Sequence, residues 1–213
     1  MQTATKIIRE RKQANRIITA DQLKRLLGNG GGRRYALVNR ALKSGELVRI
    51  QRGLYTLAQS DVHPFVVSQA ITPGSYVSFE TALAYWGWIP EKVSTIISVT
   101  PGRKAKLVEN ERFGLFRFLS LAINRGYFLE LVNRIEIEGG TALIAQPGRA
   151  LMDLVCRRKI TWTGLDWLTH GLRIDYELLQ TISREKINLL RLVYKHKRMQ
   201  TFIDALGREL YSD

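Results

Sequence analysis

Cysteine and long apolar runs are both scarce in this chain of 213 residues. Its one cysteine, Cys156, can form neither an intrachain disulfide nor a cysteine-based zinc site. Because Cys156 lies in the apolar helical run LMDLVC, we expect it to be buried. No apolar run reaches the roughly 18 residues of a membrane span, and the N-terminus shows no signal-peptide core. The sequence therefore predicts a cytoplasmic protein that does not enter the membrane.

Catalytic motifs are also missing. The three histidines (His63, His170 and His196) are far apart and have no metal-ligand spacing. There is no nucleophile elbow, no paired-carboxylate motif and no nuclease-like cluster of two acids and a lysine. Only the fold could bring together the acidic residues Glu80, Asp153, Asp166 and Asp175. We therefore expect no enzyme, no cofactor and no metal.

Acidic residues are few, with 19 Asp and Glu against 33 Lys and Arg, and the net charge is +14. Residues 1–57 contain 13 basic and 3 acidic residues, a net charge of +10, whereas the other 156 residues contain 20 and 16, a net charge of +4. Such a concentrated field attracts a polyanion and raises its association rate. A general aid to solubility is the alternative, and the one-sided distribution makes it the weaker one.

Residues 33–57 predict a basic helix followed by a hairpin. At 100° per residue, one helix face is apolar and comprises Leu37, Val38, Ala41 and Leu42. The opposite face comprises Arg33, Ala36, Asn39, Arg40 and Lys43. Ser44-Gly45 ends the helix, since glycine accepts left-handed geometry. Two β-rich segments then flank Gln51-Arg52-Gly53, a hairpin signal with glycine in the turn.

The residues before this stretch complete a known order of elements. Residues 4–15 predict a basic helix, residues 16–18 a short strand, and Thr19 with Gln22 a capping box that starts a second helix. Helix, strand, helix, turn, recognition helix and wing is the order of a winged helix-turn-helix. We predict such a DNA-binding domain over residues 1–58.

The basic face contains groups suited to DNA. Arginine can bind guanine, and asparagine adenine, through two hydrogen bonds each. Arg33, Arg34 and Tyr35 begin the helix, where base edges are usually reached, whereas Lys43, Arg49 and Arg52 are better placed for phosphates. The predicted DNA-binding residues are Arg33, Arg34, Tyr35, Asn39, Arg40, Lys43, Arg49, Gln51 and Arg52. The alternative is a solvated basic face without base contacts.

The turn before the basic helix is unusually rich in glycine, at residues 28–32. Glycine amides can cradle phosphates, but no Lys-Ser/Thr pair follows and no strand precedes, so the nucleotide-binding loop motif fails. We interpret the run as a flexible joint for the recognition helix.

Residues 59–213 predict a second, larger domain, mixed α/β to about residue 158 and helical afterwards. Its signals are a helix capped by Ser78, β-rich runs at residues 95–100 and 115–119, and a hairpin at residues 134–145. A helix follows over Pro147–Arg158. The fold class is therefore α+β. Basic segments at residues 101–106 and 195–198 are either solvated or contact nucleic acid.

Five blocks between Arg40 and Val155, in this order, resemble the AbiEi-like antitoxins of type IV toxin–antitoxin systems: RALKSGELVRIQRGLYTL, GSYVSFETALAYWGWIP, ISVTPGR, FRF and IAQPGRALMDLV. The resemblance implies an N-terminal winged helix that represses the promoter of a phage-defence system at inverted repeats. It also implies a C-terminal antitoxin domain that opposes a nucleotidyltransferase-like toxin without a stable complex. The chain departs from the family at Pro147-Gly148-Arg149, where Pro-Glu-Lys is more usual.

Two other functions remain open at this point. One is a regulator whose C-terminal domain senses a ligand or dimerises, and the other is a DNA-processing enzyme. We expect a monomer or a weak dimer, because two monomers can fill an inverted repeat.

Overall fold

The computed structural model describes residues 3–28 and 30–211 and divides the chain into two compact units. Unit 1 comprises residues 1–73 together with 110–113 and 136–142; unit 2 comprises residues 74–109, 114–135 and 143–213. This division does not test whether residues 1–58 and 59–213 are separate domains, so that boundary stays a prediction. Within the described part of the chain, no helix combines the length and apolarity that crossing a bilayer requires.

Unit 1 has the predicted winged-helix order. Its elements are α1 (Ala4–Glu10), β1 (Ile18–Thr19), α2 (Ala20–Leu27), α3 (Gly31–Lys43), β2 (Leu47–Gln51), β3 (Leu54–Leu57) and α4 (Pro64–Ile71). The strands form an antiparallel sheet in the order β1-β3-β2. The α+β class and the wing-like hairpin are thus confirmed.

Local signals explain where the first helices begin and end. The Thr19 side chain accepts a hydrogen bond from the Gln22 amide at 3.2 Å, and the Gln22 side chain accepts one from the Thr19 amide at 2.7 Å, so the capping box is confirmed. Helix α1 is shorter than predicted, since the chain turns at Arg11 and Lys12 takes φ 55°. The predicted glycine joint includes Asn29, which lies outside the described residues.

The apolar back of α3 docks on a small core, as predicted. Ala41 is buried there, and Leu37, Val38 and Leu42 pack against the buried cluster. That cluster comprises Ala4, Ile8, Ile18, Leu23, Ala41, Leu47 and Leu57. The opposite face of α3 is therefore left to solvent.

Unit 2 contains most of a six-stranded sheet and the later helices. The strands are β4 (Tyr76–Val77), β5 (Thr95–Val99), β6 (Lys106–Asn110), β7 (Gly114–Leu119), β8 (Val132–Ile137) and β9 (Gly140–Ala145), in the order β6-β7-β5-β4-β9-β8. The helices are α5 (Phe79–Tyr85), α6 (Pro147–Arg158), α7 (Tyr176–Gln180), α8 (Arg184–Val193) and α9 (Lys197–Tyr211), with a π-helical turn at Trp167–Gly171. The bounds of α6 agree with the prediction, whereas β6 was not predicted.

Two features of unit 2 matter for its possible sites: two parallel strands end at one edge of the sheet, and one helix is buried. Strands β5 and β7 are parallel neighbours, with Val99 opposite Leu119, so their carboxyl ends lie at one edge of the sheet. Helix α6 is almost wholly buried from Gly148 to Cys156, and Cys156 is buried as predicted. Trp88 is also buried, and the Trp86 indole donates to the Ala145 carbonyl at 2.8 Å.

Candidate nucleic-acid interface

The outer face of α3 presents most of the predicted side chains to solvent. Arg33, Tyr35, Arg40 and Lys43 are exposed, and Tyr35 keeps 71% of its surface accessible. Asn39, which precedes Arg40 in the sequence, is half-buried. The helix therefore offers cations along its length and an amide near its middle.

Among the predicted DNA-binding residues of α3, Arg34 forms a hydrogen bond within the protein. Its guanidinium donates to the Gly28 carbonyl at 3.3 Å, across the start of α3. With Tyr35 and Tyr55 it lines a cleft of about 210 Å³ that reaches Leu23 of α2. Arg34 thus contributes to the shape at the helix start as well as to its charge.

The helix and the hairpin meet at a shallow depression. Asn39, Leu42 and Lys43 of α3 line it together with Arg49 of β2. The structure therefore brings these three predicted polar residues to one surface, although they belong to two elements.

The hairpin has a two-residue turn, Arg52-Gly53, with Gly53 at φ 83° and Arg52 exposed. A register shift between Arg49 and Gln51 places Arg49 opposite Tyr55, with its guanidinium 5.9 Å from the ring centroid. Gln51 is different, because its half-buried side-chain amide donates to the Ile71 carbonyl at 3.4 Å. Gln51 thus connects the hairpin to α4.

A segment remote in sequence braces this hairpin. The Asn110 side-chain amide donates to the carbonyls of Ile50 at 3.0 Å and Arg49 at 3.3 Å. Arg112 donates to the carbonyls of Leu57 at 2.9 Å and Ser60 at 2.5 Å. Neither residue was predicted, because nothing in the local sequence shows that residues 110–113 return to the hairpin.

Basic residues outnumber acidic ones in residues 1–57, by 13 to 3. Over residues 3–28 and 30–57, no lysine or arginine forms a salt bridge with a carboxylate that the structure describes. Glu46, one of the few acids there, accepts a hydrogen bond from the Thr5 hydroxyl at 2.7 Å. The cations of α3 and the hairpin therefore project an unneutralised positive field.

The acidic residues considered for catalysis do not converge. Glu80 pairs with Arg158, and Asp166 lies 3.5 Å from His170. Asp175 is the N-cap of α7. Across the residues with described positions, no group of three or more His, Cys, Asp and Glu side chains is suited to a metal ion.

Asp153 instead belongs to a buried polar network in unit 2. Its carboxylate accepts hydrogen bonds from the Tyr76 hydroxyl at 3.0 Å, Ser78 at 2.7 Å and Tyr194 at 2.7 Å, and pairs with the Arg149 Nε at 2.9 Å. Arg149 and Asp153 are both fully buried. This network was not predicted from the sequence, although the i, i+4 spacing of an arginine and an aspartate in an apolar helix is a usable signal.

The electrostatics of the network fix its protonation. Burial, reinforced by Asp153, raises the pKa values of Tyr76 and Tyr194 well above the usual range. Burial alone lowers the pKa of Arg149, but Asp153 and the two tyrosines outweigh it, so this pKa is raised. The tyrosines are therefore neutral donors and Arg149 stays charged.

The fold and the exposed basic face define the class of the N-terminal region, a winged-helix domain. Residues 6–58 match the family model described as "Transcriptional regulator, AbiEi antitoxin". Over those residues the chain is similar to the AbiEi antitoxin regulators, and the resemblance proposed from the sequence is confirmed there. The blocks from Gly74 to Val155 lie outside the match. No curated protein matches the chain.

Proposed function

We propose that the protein is a type IV antitoxin that binds inverted repeats in its own promoter and represses transcription. In this proposal it acts in the cytoplasm, where the promoter is, and is not itself an enzyme. It opposes a nucleotidyltransferase-like toxin without forming a stable complex. A monomer or weak dimer occupies the two half-sites.

One observation carries the DNA-binding part of this proposal. The exposed cations of α3 and the hairpin lie in the region that matches the regulator family, and none of these cations is paired with a carboxylate among the residues whose positions are described. A face kept unneutralised at the cost of self-repulsion suits a polyanionic partner.

The side chains divide by their chemistry. Arg33, Tyr35 and Asn39 are candidates for base edges, since arginine can contact guanine and asparagine adenine. Arg40, Lys43, Arg49 and Arg52 are candidates for phosphates, which set register and affinity. Arg34 and Gln51 have hydrogen-bond partners within the protein, so we expect them to shape the interface more than to read bases.

The salt dependence of duplex binding tests this division. With about six phosphate contacts, log K falls with log[salt] at a slope near −5, from about 0.9 per contact. Arg52→Gln flattens that slope by about one unit and leaves the order of preferred sequences unchanged. The measurement is a fluorescence anisotropy titration of promoter duplexes at several salt concentrations.

Lys6→Gln is the matched control, because Lys6 is an exposed cation of unit 1 on α1. It removes the same charge outside α3 and the hairpin and should leave the slope unchanged. A duplex affinity that does not depend on salt would contradict the electrostatic account, as would equal effects of the two variants.

The antitoxin part needs a cellular test. A neighbouring gene for a nucleotidyltransferase-like toxin is expected, and co-expression of this chain should restore the growth of cells that produce the toxin. Purified toxin and antitoxin should not co-elute. Without such a neighbour, a regulator with a ligand-sensing or dimerising C-terminal domain becomes the better explanation.

A further inference from the structure

A basic cleft of about 550 Å³ lies wholly within unit 2, at the carboxyl ends of β5 and β7. Three loops form it: the one after β5, the one after β7, and the connection between α8 and α9. Ligands of open α/β sheets commonly bind outside the carboxyl ends of parallel strands. The position of the cleft therefore points to a binding site.

Hydrogen bonds join the three loops. The Thr100 amide donates to the Leu119 carbonyl at 2.9 Å, and the Ser120 hydroxyl to the Arg103 carbonyl at 3.2 Å. The Lys195 amide donates to the Ala122 carbonyl at 3.0 Å. The cleft is consequently a preformed feature of the backbone.

Further hydrogen bonds, some of them from the buried network, hold the loop after β7 that lines the cleft. The Asn124 side-chain amide donates to the Leu192 carbonyl at 2.8 Å, and its backbone amide to the Val193 carbonyl at 2.7 Å. Behind them, Arg149 donates to the carbonyl of Glu130 at 2.6 Å and to that of Phe128 at 3.4 Å. The fully buried arginine therefore helps to hold the loop that carries one side of the cleft.

The charged side chains of the cleft have one sign. Arg103, Arg125 and Lys195 are exposed and line it, and no carboxylate lies among its described lining residues. None of these three cations forms a salt bridge with an acid that the structure describes. The cleft thus favours an anion with several charges.

The surroundings favour a strand over a single small anion. Two more exposed lysines, Lys104 and Lys106, follow Arg103 in the sequence, and Lys106 begins the edge strand β6. Phe128 lines the cleft and supplies an aromatic surface. Cations that follow a backbone, together with an aromatic ring for base stacking, are the features of single-strand binding.

We propose that this cleft binds the phosphate backbone of single-stranded nucleic acid. None of the residues that line the cleft belongs to α3 or the hairpin, and the proposal does not depend on the proposed promoter function. RNA and single-stranded DNA share the required chemistry. Binding of a duplex at the cleft is a competing outcome of the test.

The test uses the full chain and labelled oligo-uridine or oligo-thymidine strands of about 12 nucleotides. The cleft variant is Arg103→Ala/Arg125→Ala/Lys195→Ala. The control is Lys92→Ala/Arg134→Ala/Arg157→Ala, which removes equal charge from exposed unit 2 residues outside the cleft. Losing three single-strand contacts of about 0.7 each lowers the salt slope by about 2, which is about 100-fold in affinity at about 0.1 M salt.

The proposal is supported if the cleft variant loses about 100-fold in single-strand affinity at about 0.1 M salt and the control variant loses much less. Duplex binding should be unchanged in both variants. Equal binding of oligo-uridine and oligo-thymidine indicates recognition of the backbone, and a preference for oligo-uridine indicates that the ligand is RNA. Either result supports the proposal. Cross-linking of a 4-thiouridine strand to residues 100–103 or 120–126 gives a readout that needs no variant.

Several results would overturn it. These are equal losses in the two triple variants, a matching loss of duplex binding in the cleft variant, or loss of single-strand binding when Arg33 and Arg40 are replaced. Competition by inorganic triphosphate as strong as that by the strands would mean a small-anion pocket. Failure of duplex binding alone would count against the promoter proposal and leave this one standing.

Discussion

Removing either charge of the Arg149–Asp153 pair is expected to destabilise unit 2 severely. Both side chains are fully buried, and the guanidinium Nε and the carboxylate oxygen are 2.9 Å apart. In Asp153→Asn the arginine keeps its charge without a counter-ion, and in Arg149→Met the aspartate does. Breaking a buried pair from one side typically costs about 3–5 kcal/mol.

The magnitude can be expressed as a urea midpoint. Domains of this size have m-values of about 2 kcal/mol per molar urea, so a loss of about 4 kcal/mol lowers the midpoint by about 2 M. Asp153→Asn keeps only one of the two oxygen acceptors, since Tyr76 and Ser78 donate to Oδ2 whereas Tyr194 and Arg149 donate to Oδ1, so the loss includes hydrogen bonds as well as the charge. The double variant removes both charges, so it should lose about 2–3 kcal/mol less than the sum of the single variants.

Tryptophan fluorescence makes the assay specific to unit 2. All four tryptophans, Trp86, Trp88, Trp162 and Trp167, lie in that unit. Urea unfolding followed by tryptophan emission therefore reports the stability of unit 2 in the full chain, while duplex binding reports unit 1. Losses below about 1 kcal/mol for the single variants, or additive losses, would refute the account of a tightly coupled buried pair.

Two further variants or treatments test the packing. Gly139 has φ +85°, and a Cβ there would lie 2.8 Å from the Val62 Cγ2 and 2.9 Å from its Cα, so Gly139→Ala should lower the stability of unit 1 by about 2 kcal/mol or more in circular-dichroism melts. Gly45→Ala is the control, with a similar φ of +71° and open space. Burial, with Asp153, raises the pKa of Cys156 to about 11, so the thiol stays protonated at about pH 8 and should resist iodoacetamide until urea unfolds unit 2. Rapid alkylation of the folded protein, seen by mass spectrometry, would contradict that environment.

The sequence signals that succeeded are local ones. The capping box at Thr19, the apolar stripe that docks α3, and the proline at the start of α6 each depend on residues within a few positions of one another. Such signals depend on local helix geometry and hydrogen bonding, so they can be recognised without knowledge of the tertiary structure. They were sufficient to predict the winged-helix order.

The failures depend on register and on distant contacts. The register shift that sets Arg49 beside Tyr55 has no signal of its own, and neither does the return of Asn110 to the hairpin. The residues of the basic cleft come from segments more than 90 positions apart, and only the topology brings Arg103 and Lys195 together. Each basic segment is visible in the sequence, but their convergence in the fold is not.

The two units differ in how many of their basic residues form salt bridges, so their stabilities should respond differently to salt. All five described salt bridges join residues of unit 2, whereas the cations of residues 3–57 have none among the residues described. Unit 1 should therefore suffer self-repulsion that unit 2 largely avoids.

Because salt screens repulsion over a Debye length of about 10 Å at about 0.1 M, raising the salt concentration should stabilise unit 1. In unit 2, salt weakens exposed pairs such as Arg173–Glu91, so its stability should stay level or fall slightly. Amide hydrogen exchange in α3 and α9, at low and high sodium chloride, compares the two units in one sample. Slower exchange in α3 alone is the expected result. Faster exchange in α3 at high salt would show that its cations are neutralised within the protein, and the electrostatic basis for binding nucleic acid there would be lost.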